Sequence, residues 1–192
     1  HVKYSGGGVE YLIINGAECE PLLRTDRYIM KHLGERVVSA AEAVQELLGA
    51  AQCRIALKKT YTEEIKALEK VLKAKNSRVE LAKMDSFYPA GDEQTMVYEV
   101  TGRVVPPAGI PLDVGCVVSN VATMLGISDA MEGKPFTEKY LTVTGKVRNP
   151  SVLHVPVGTS FETCIALAGG AKKSRYFIVS GGPMMGARMT ME

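Results

Sequence analysis

Apolar positions follow two different rhythms along this chain. Tyr11-Leu12-Ile13-Ile14 is an unbroken apolar run of strand length, the pattern of a strand buried on both faces. From Asp26 onward the spacing changes to three and four, through Tyr28, Ile29 and Leu33, then Val37, Val38, Ala41, Val44, Leu47 and Leu48. That spacing predicts helix, divided at Gly34 and ended by Gly49. Cys53-Arg54-Ile55-Ala56-Leu57 predicts the next strand. Thr62 stands where a cap is needed for a helix whose apolar face holds Ile65, Leu68, Val71 and Leu72. Val79-Glu80-Leu81-Ala82 predicts a third strand. A β-α-β-α-β succession implies a parallel sheet with right-handed crossovers and helices on both faces, a Rossmann-like α/β fold.

A further helix is expected over 93–100. Residues 102–115 hold three prolines and read as an extended loop. Cys116-Val117-Val118 predicts a strand, and 121–131 a helix. From Lys139 the texture changes. Residues 140–145 and 151–157 predict an antiparallel pair around Arg148-Asn149-Pro150, followed by a helix over 161–168 and a strand over 176–179. We therefore expect an α/β domain over 1–135 and a small ββαβ domain over 136–192.

Length and composition narrow the class. At 192 residues the chain suits one large domain, or one domain with a small companion. Hydrophobic residues make up 46% and charged residues 23%, values of a globular protein. A net charge of +2 without a dense Lys/Arg tract gives no argument for a nucleic-acid partner. No apolar run approaches the ~20 residues that cross a bilayer, so no direct membrane insertion is expected. No signal peptide is visible, which points to a cytoplasmic setting. Cys19, Cys53, Cys116 and Cys164 are scattered and form no CxxC, so neither a zinc nor an iron–sulfur site is expected here. The last three read as small core residues.

Candidate chemistry concentrates after the first strand, in Asn15-Gly16-Ala17-Glu18-Cys19-Glu20-Pro21. Carboxylates are costly to desolvate without partners, and the carboxyl edge of an open α/β sheet is where ligands bind. The alternative is a turn whose acids stabilise the next helix N-terminus, and both readings stay open on the residues alone. Asp26 and Arg27 read as helix-start and surface groups. His32 and His154 read as ordinary surface or satisfied residues. Met184-Met185 reads as apolar packing.

Four stretches carry a resemblance in the same order: 15–26, then Tyr88-Pro89-Ala90-Gly91-Asp92-Glu93, then 117–123, then Gly181-Gly182-Pro183-Met184-Met185-Gly186. Together they resemble the Rnf-complex C subunit family, and the second most resembles its propanediol-utilisation cobalamin reductase branch. The first turn is also similar to one in the FMN-bearing subunit of respiratory NADH dehydrogenases. The resemblance implies FMN as cofactor and NADH as substrate, bound by the α/β domain. It also implies an SLBB (soluble-ligand-binding β-grasp) module after it.

The cofactor-binding residues it implies are Lys3, Asn15, Glu18, Cys19, Glu20, Gly91, Asp92, Glu93, Asn120 and Thr123. Asn15 offers both donor and acceptor. Gly91 leaves room for close approach of a ligand. Asn120 and Thr123 sit where a strand passes into a helix N-terminus that favours phosphate. Asp92 has a competing reading as a helix cap. The resemblance further implies that the chain is a fragment, lacking a glycine-rich loop before His1 and 4Fe-4S cysteine clusters after Gly186. Implied partners are other subunits of a redox complex, at the membrane periphery or inside a bacterial microcompartment. Two other readings stay open: a cobalamin- or partner-binding β-grasp module, and a structural docking platform.

Overall fold

The computed structural model describes residues 8–189. They form two compact units, one from the chain up to Cys19 with Asp26–Lys134, the other from Glu20–Thr25 with the chain from Pro135 onward. In chain order the first unit comprises β1 (Tyr11–Asn15), α1 (Thr25–His32), α2 (Gly34–Leu48), β2 (Gln52–Lys58), α3 (Thr62–Lys75), β3 (Glu80–Met84), α4 (Glu93–Thr101), β4 (Cys116–Asn120) and α5 (Val121–Met131). Its four strands are all parallel, in the order β3-β2-β1-β4.

Alternate strand residues face opposite sides of the sheet. Ile13, Ala56, Met84 and Val118 meet Met96, Val97 and Val100 of α4 on one face. On the other, Leu12, Ile14, Ile55 and Leu57 are fully buried, and α2 packs against both α3 and α5. Both faces of β1 are therefore core, which is why its sequence is continuously apolar. The expected α/β architecture with helices on both faces is the one observed.

Local signals explain most boundaries. Leu33 separates α1 from α2, and Gly34 opens α2 where a Cβ would press to 3.0 Å from Leu68 Cδ2. Gly49, at φ +63°, closes α2 and returns its N–H to the Gln45 and Glu46 carbonyls. Two expectations shift. Tyr61, rather than Thr62, occupies the cap position of α3, and its side chain makes no capping bond. The expected loop over 102–115 contains a 3-10 turn, Pro111–Val114, closed by Gly115.

The second unit holds β5 (Glu138–Val143) paired antiparallel with β6 (Ser151–Pro156), then α6 (Phe161–Leu167), and a hairpin of β7 (Ile178–Ser180) and β8 (Ala187–Met189). Ser160 caps α6 by accepting from the Thr163 N–H at 3.1 Å. β8 was not expected. Three residues, Ala187-Arg188-Met189, show no alternation to read, and the strand exists through its pairing across the Gly181–Gly186 turn. His154 is paired more than its sequence neighbours suggest: it stacks on Tyr140 at 4.2 Å and faces Glu138 at 3.4 Å across the β5–β6 ladder.

Candidate functional site

The chain leaves the sheet at one edge after Asn15, Lys58, Met84 and Asn120, the carboxyl ends of four parallel strands. Open parallel sheets bind ligands outside this edge. Asn15 lies in register with Ala56 on one side and Asn120 on the other. Its Nδ2 donates to the Gly91 carbonyl at 2.8 Å, and its Oδ1 accepts from the Ala17 N–H at 3.0 Å. Cys19 Sγ accepts from the Gly91 N–H at 2.9 Å. The turn after β1 is thus fastened to the turn before α4 at both polar groups of one glycine.

A Cβ on Gly91 would overlap the Ala17 carbonyl oxygen and sit 3.0 Å from Cys19 Sγ. Only glycine allows this approach of two backbones. On the side where a Cβ would stand, the space beside Gly91 is filled by Ala17 and Cys19. Asp92 takes its capping role, with Oδ1 accepting from the Gln94 and Thr95 N–H groups at 3.1 and 2.9 Å. Glu93, the first residue of α4, lines an apolar pocket with Ile110, Leu112 and Val118.

Asn120 caps α5, its Oδ1 accepting from the Ala122 N–H at 2.7 Å. Its Nδ2 donates to Asp26 Oδ2 at 2.9 Å. Thr123 is exposed in the first turn of α5, which carries no acidic residue, so the helix end is left electropositive. Asp26 is half-buried, not a surface group as its sequence setting suggests. Burial pushes its carboxyl up to about 6, the Asn120 hydrogen bond opposing and the Glu18 charge adding.

A second layer holds Glu18. Its carbonyl accepts from Lys58 Nζ at 2.7 Å and from the Tyr61 hydroxyl at 3.4 Å. Burial, the largest effect, pushes the Tyr61 hydroxyl up to about 12. The Arg27 guanidinium lies 4.5 Å from the Tyr61 ring centroid. It also donates to both Glu64 oxygens, at 2.9 and 3.2 Å. Glu64 is only 3% exposed. Arg27, partly exposed, is the partner of a buried carboxylate, a structural role beyond the expected surface one.

Glu20 belongs to the second unit. Its carboxylate accepts from the Met184 and Met185 N–H groups at 2.8 and 2.7 Å. Gly182 stands at φ +103°, and a Cβ there would overlap Glu20 Oε2. The glycine-rich turn therefore closes its backbone around a carboxylate, while the Met184 and Met185 side chains are 55% and 84% exposed, not packed. Lys3 lies outside the described residues. Tyr88 is exposed in the turn leading to Gly91.

Asn15, Glu18, Cys19, Gly91, Asp92, Glu93, Asn120 and Thr123 thus share one sheet edge of the first unit. Asn15 and Asn120 each keep a second amide hydrogen beyond the bonds above. Amide donors, the Glu18 and Asp26 carboxylates and an electropositive helix end suit a ligand bearing hydroxyls, a heteroaromatic edge and a phosphate. Residues 1–129 match the model of the Nuo51 FMN-binding domain. The chain belongs to that family.

The rest of this FMN-binding-domain chain has its own match, residues 140–187 to the SLBB domain. Cobalamin reductase PduS of Citrobacter freundii is 41% identical over 99% of this chain and 42% of its own length. The C subunit of the proton-translocating ferredoxin:NAD(+) oxidoreductase complex of Clostridium ljungdahlii is 36% identical over 93% of this chain and 39% of its own length. The chain spans about two-fifths of the length of these relatives. The air-oxidised crystal structure of an NAD+-reducing [NiFe]-hydrogenase superposes with a TM-score of 0.75 at 23% identity, covering 91% of this chain and 35% of that one, and supports the fold.

Sequence reading of this family member missed Asp26, Lys58 and Tyr61. Lys58 had a positional signal, as the charged residue ending an apolar strand. Asp26 had a weaker one, standing just ahead of Ile29 and Met30, which are fully buried. Among the described residues no group of three or more His, Cys, Asp or Glu side chains is placed to hold a metal ion, and no helix is long and apolar enough to cross a membrane.

Proposed function

We propose that this chain binds FMN at the carboxyl edge of its parallel sheet and takes part in electron transfer from NADH. In this reading residues 1–135 form the FMN/NADH domain and 136–192 the SLBB module. The observation that carries it is the joining of Asn15, Cys19 and Gly91 beside Asn120, on one edge, in a member of the Nuo51 FMN-binding domain family. Bound FMN would accept a hydride from NADH and release electrons singly to an acceptor.

The protein groups do the holding. Asn15 and Asn120 present their remaining amide hydrogens to the ring edge or the ribityl chain. Glu18, fixed through its carbonyl by Lys58 and Tyr61, accepts from ribityl hydroxyls. The first turn of α5, at Thr123, meets the phosphate. No side chain need act as a general acid or base, and none is arranged as a nucleophile–base pair in this reading. Glu20, Asp92 and Glu93 contribute through the structure of their turns.

Similarity to PduS and to the ferredoxin:NAD(+) oxidoreductase subunits supports a place among the subunits of a cytoplasmic redox complex, with 4Fe-4S centres as the next carriers. Anaerobic addition of NADH to the full-length protein is expected to bleach flavin absorbance. Reoxidation by cob(III)alamin rather than ferredoxin would place the chain with the cobalamin reductases. A colourless protein that takes up no FMN would refute the reading.

A further inference from the structure

The site contains one carboxyl that its holding role leaves unexplained. Asp26 is half-buried below the β1–β4 edge, and its contact to Asn120 is the same amide that caps α5. Glu18, on the turn after β1, is the charged side chain that acts on Asp26. From β4 and α5 it meets the Asn120 amide, and the first turn of α5 brings no titratable group. Arg27, its neighbour on α1, is turned toward Glu64 and Tyr61. An acidic pair therefore sits beside the edge where the FMN reading puts a phosphate, and anionic charge arriving there raises the cost of keeping both carboxylates ionised.

We propose that Asp26, acting through Asn120, is a positioning residue that ties binding of the phosphorylated flavin to uptake of one proton from solvent. The inference rests on the FMN reading. Because Asn120 donates to Oδ2, the proton goes to Oδ1, and neither electrons nor covalent bonds of the ligand are involved. Burial already pushes this carboxyl up to about 6, so it is poised to take the proton. Protonated, it leaves the Asn120 bond in place and removes the charge that opposes the phosphate.

The test is FMN titration calorimetry on the full-length protein and its Asp26→Asn variant, in two buffers of different ionisation heat. At about pH 6.5 the parent is expected to take up about half a proton more per FMN than the variant. The phosphate's own proton is common to both and cancels in the difference. Asp26→Asn is expected to bind FMN about tenfold more tightly than the parent at about pH 8 and equally at about pH 5. Riboflavin, which lacks the phosphate, should show a smaller difference. A merely structural role would weaken binding at every pH.

Equal proton counts, or an affinity ratio that does not change with pH, would overturn the proposal. If the variant fails to fold, the Asp26 carboxyl followed by carbon NMR in the parent decides the matter. Its midpoint should rise on FMN binding, and an unmoved midpoint overturns the linkage. Absence of any FMN binding by the parent defeats the FMN reading itself, a different result from binding without proton uptake.

Discussion

At the scale of single residues, two positions decide how the edge is built. Gly91 is required by its neighbours: the Ala17 carbonyl and Cys19 Sγ occupy the space a Cβ would take. Gly91→Ala is expected to cost about 1–3 kcal/mol, read from a urea midpoint, with loss of flavin binding. Asp26 behaves oppositely. Its folded-state value of about 6 lies above the ordinary 3.8, so the folded chain holds more protons than the unfolded chain between those limits. Stability therefore falls as pH rises from about 4 to about 6, and the penalty is complete above that. Asp26→Asn should raise stability by about 1–3 kcal/mol near pH 7.5 and leave it unchanged near pH 3.5, followed by thermal melting at both. Neither property was visible in sequence. A glycine beside two acids looks the same whether a ligand or a second backbone fills its space, and the burial of Asp26 arises only in the folded chain, where its partner Asn120 comes from 94 positions away in sequence.

At the scale of elements, α1 and α3 are joined by a charge pair whose carboxylate is buried and whose guanidinium is partly exposed. Glu64 faces the core from the first turn of α3 and is matched by Arg27 with two hydrogen bonds. Removing one partner strands the other without water. Arg27→Ala is expected to lose about 3–5 kcal/mol in denaturant unfolding, more than an exposed pair such as Lys59–Asp85 would lose. In the second unit, Glu20 holds the β7–β8 turn through two backbone amides. Glu20→Ala should speed hydrogen exchange at Met184 and Met185 by about tenfold or more. The periodicities of α2, α3 and the buried strands were legible because burial on a regular element leaves a repeating trace. β8 and the capping position of α3 were not, since pairing across a turn and backbone geometry leave no such trace.

At the scale of the whole molecule, the parallel succession of strands put the loops after β1, β3 and β4 at a common edge, so most of the candidate site could be anticipated from element order. Asn15, Gly91 and Asn120 do meet there. What sequence order did not convey is which side chains face a ligand and which fasten the turns to each other, because both tasks use the same amides, carboxylates and glycines. Asp92 and Glu20 accept from backbone amides; Asn15 and Asn120 fasten their turns and each keep a second amide hydrogen beyond those bonds.

The central claim is that this edge holds FMN. Its most direct test is FMN titration of the full-length protein, followed by flavin fluorescence, for the parent, Asn15→Ala and Asn120→Ala, with melting temperatures recorded alongside. The expected result is one FMN per chain, with binding weakened about tenfold or more by each substitution while the variants remain folded. Stoichiometric binding that neither substitution alters, or no binding by the parent, would contradict it.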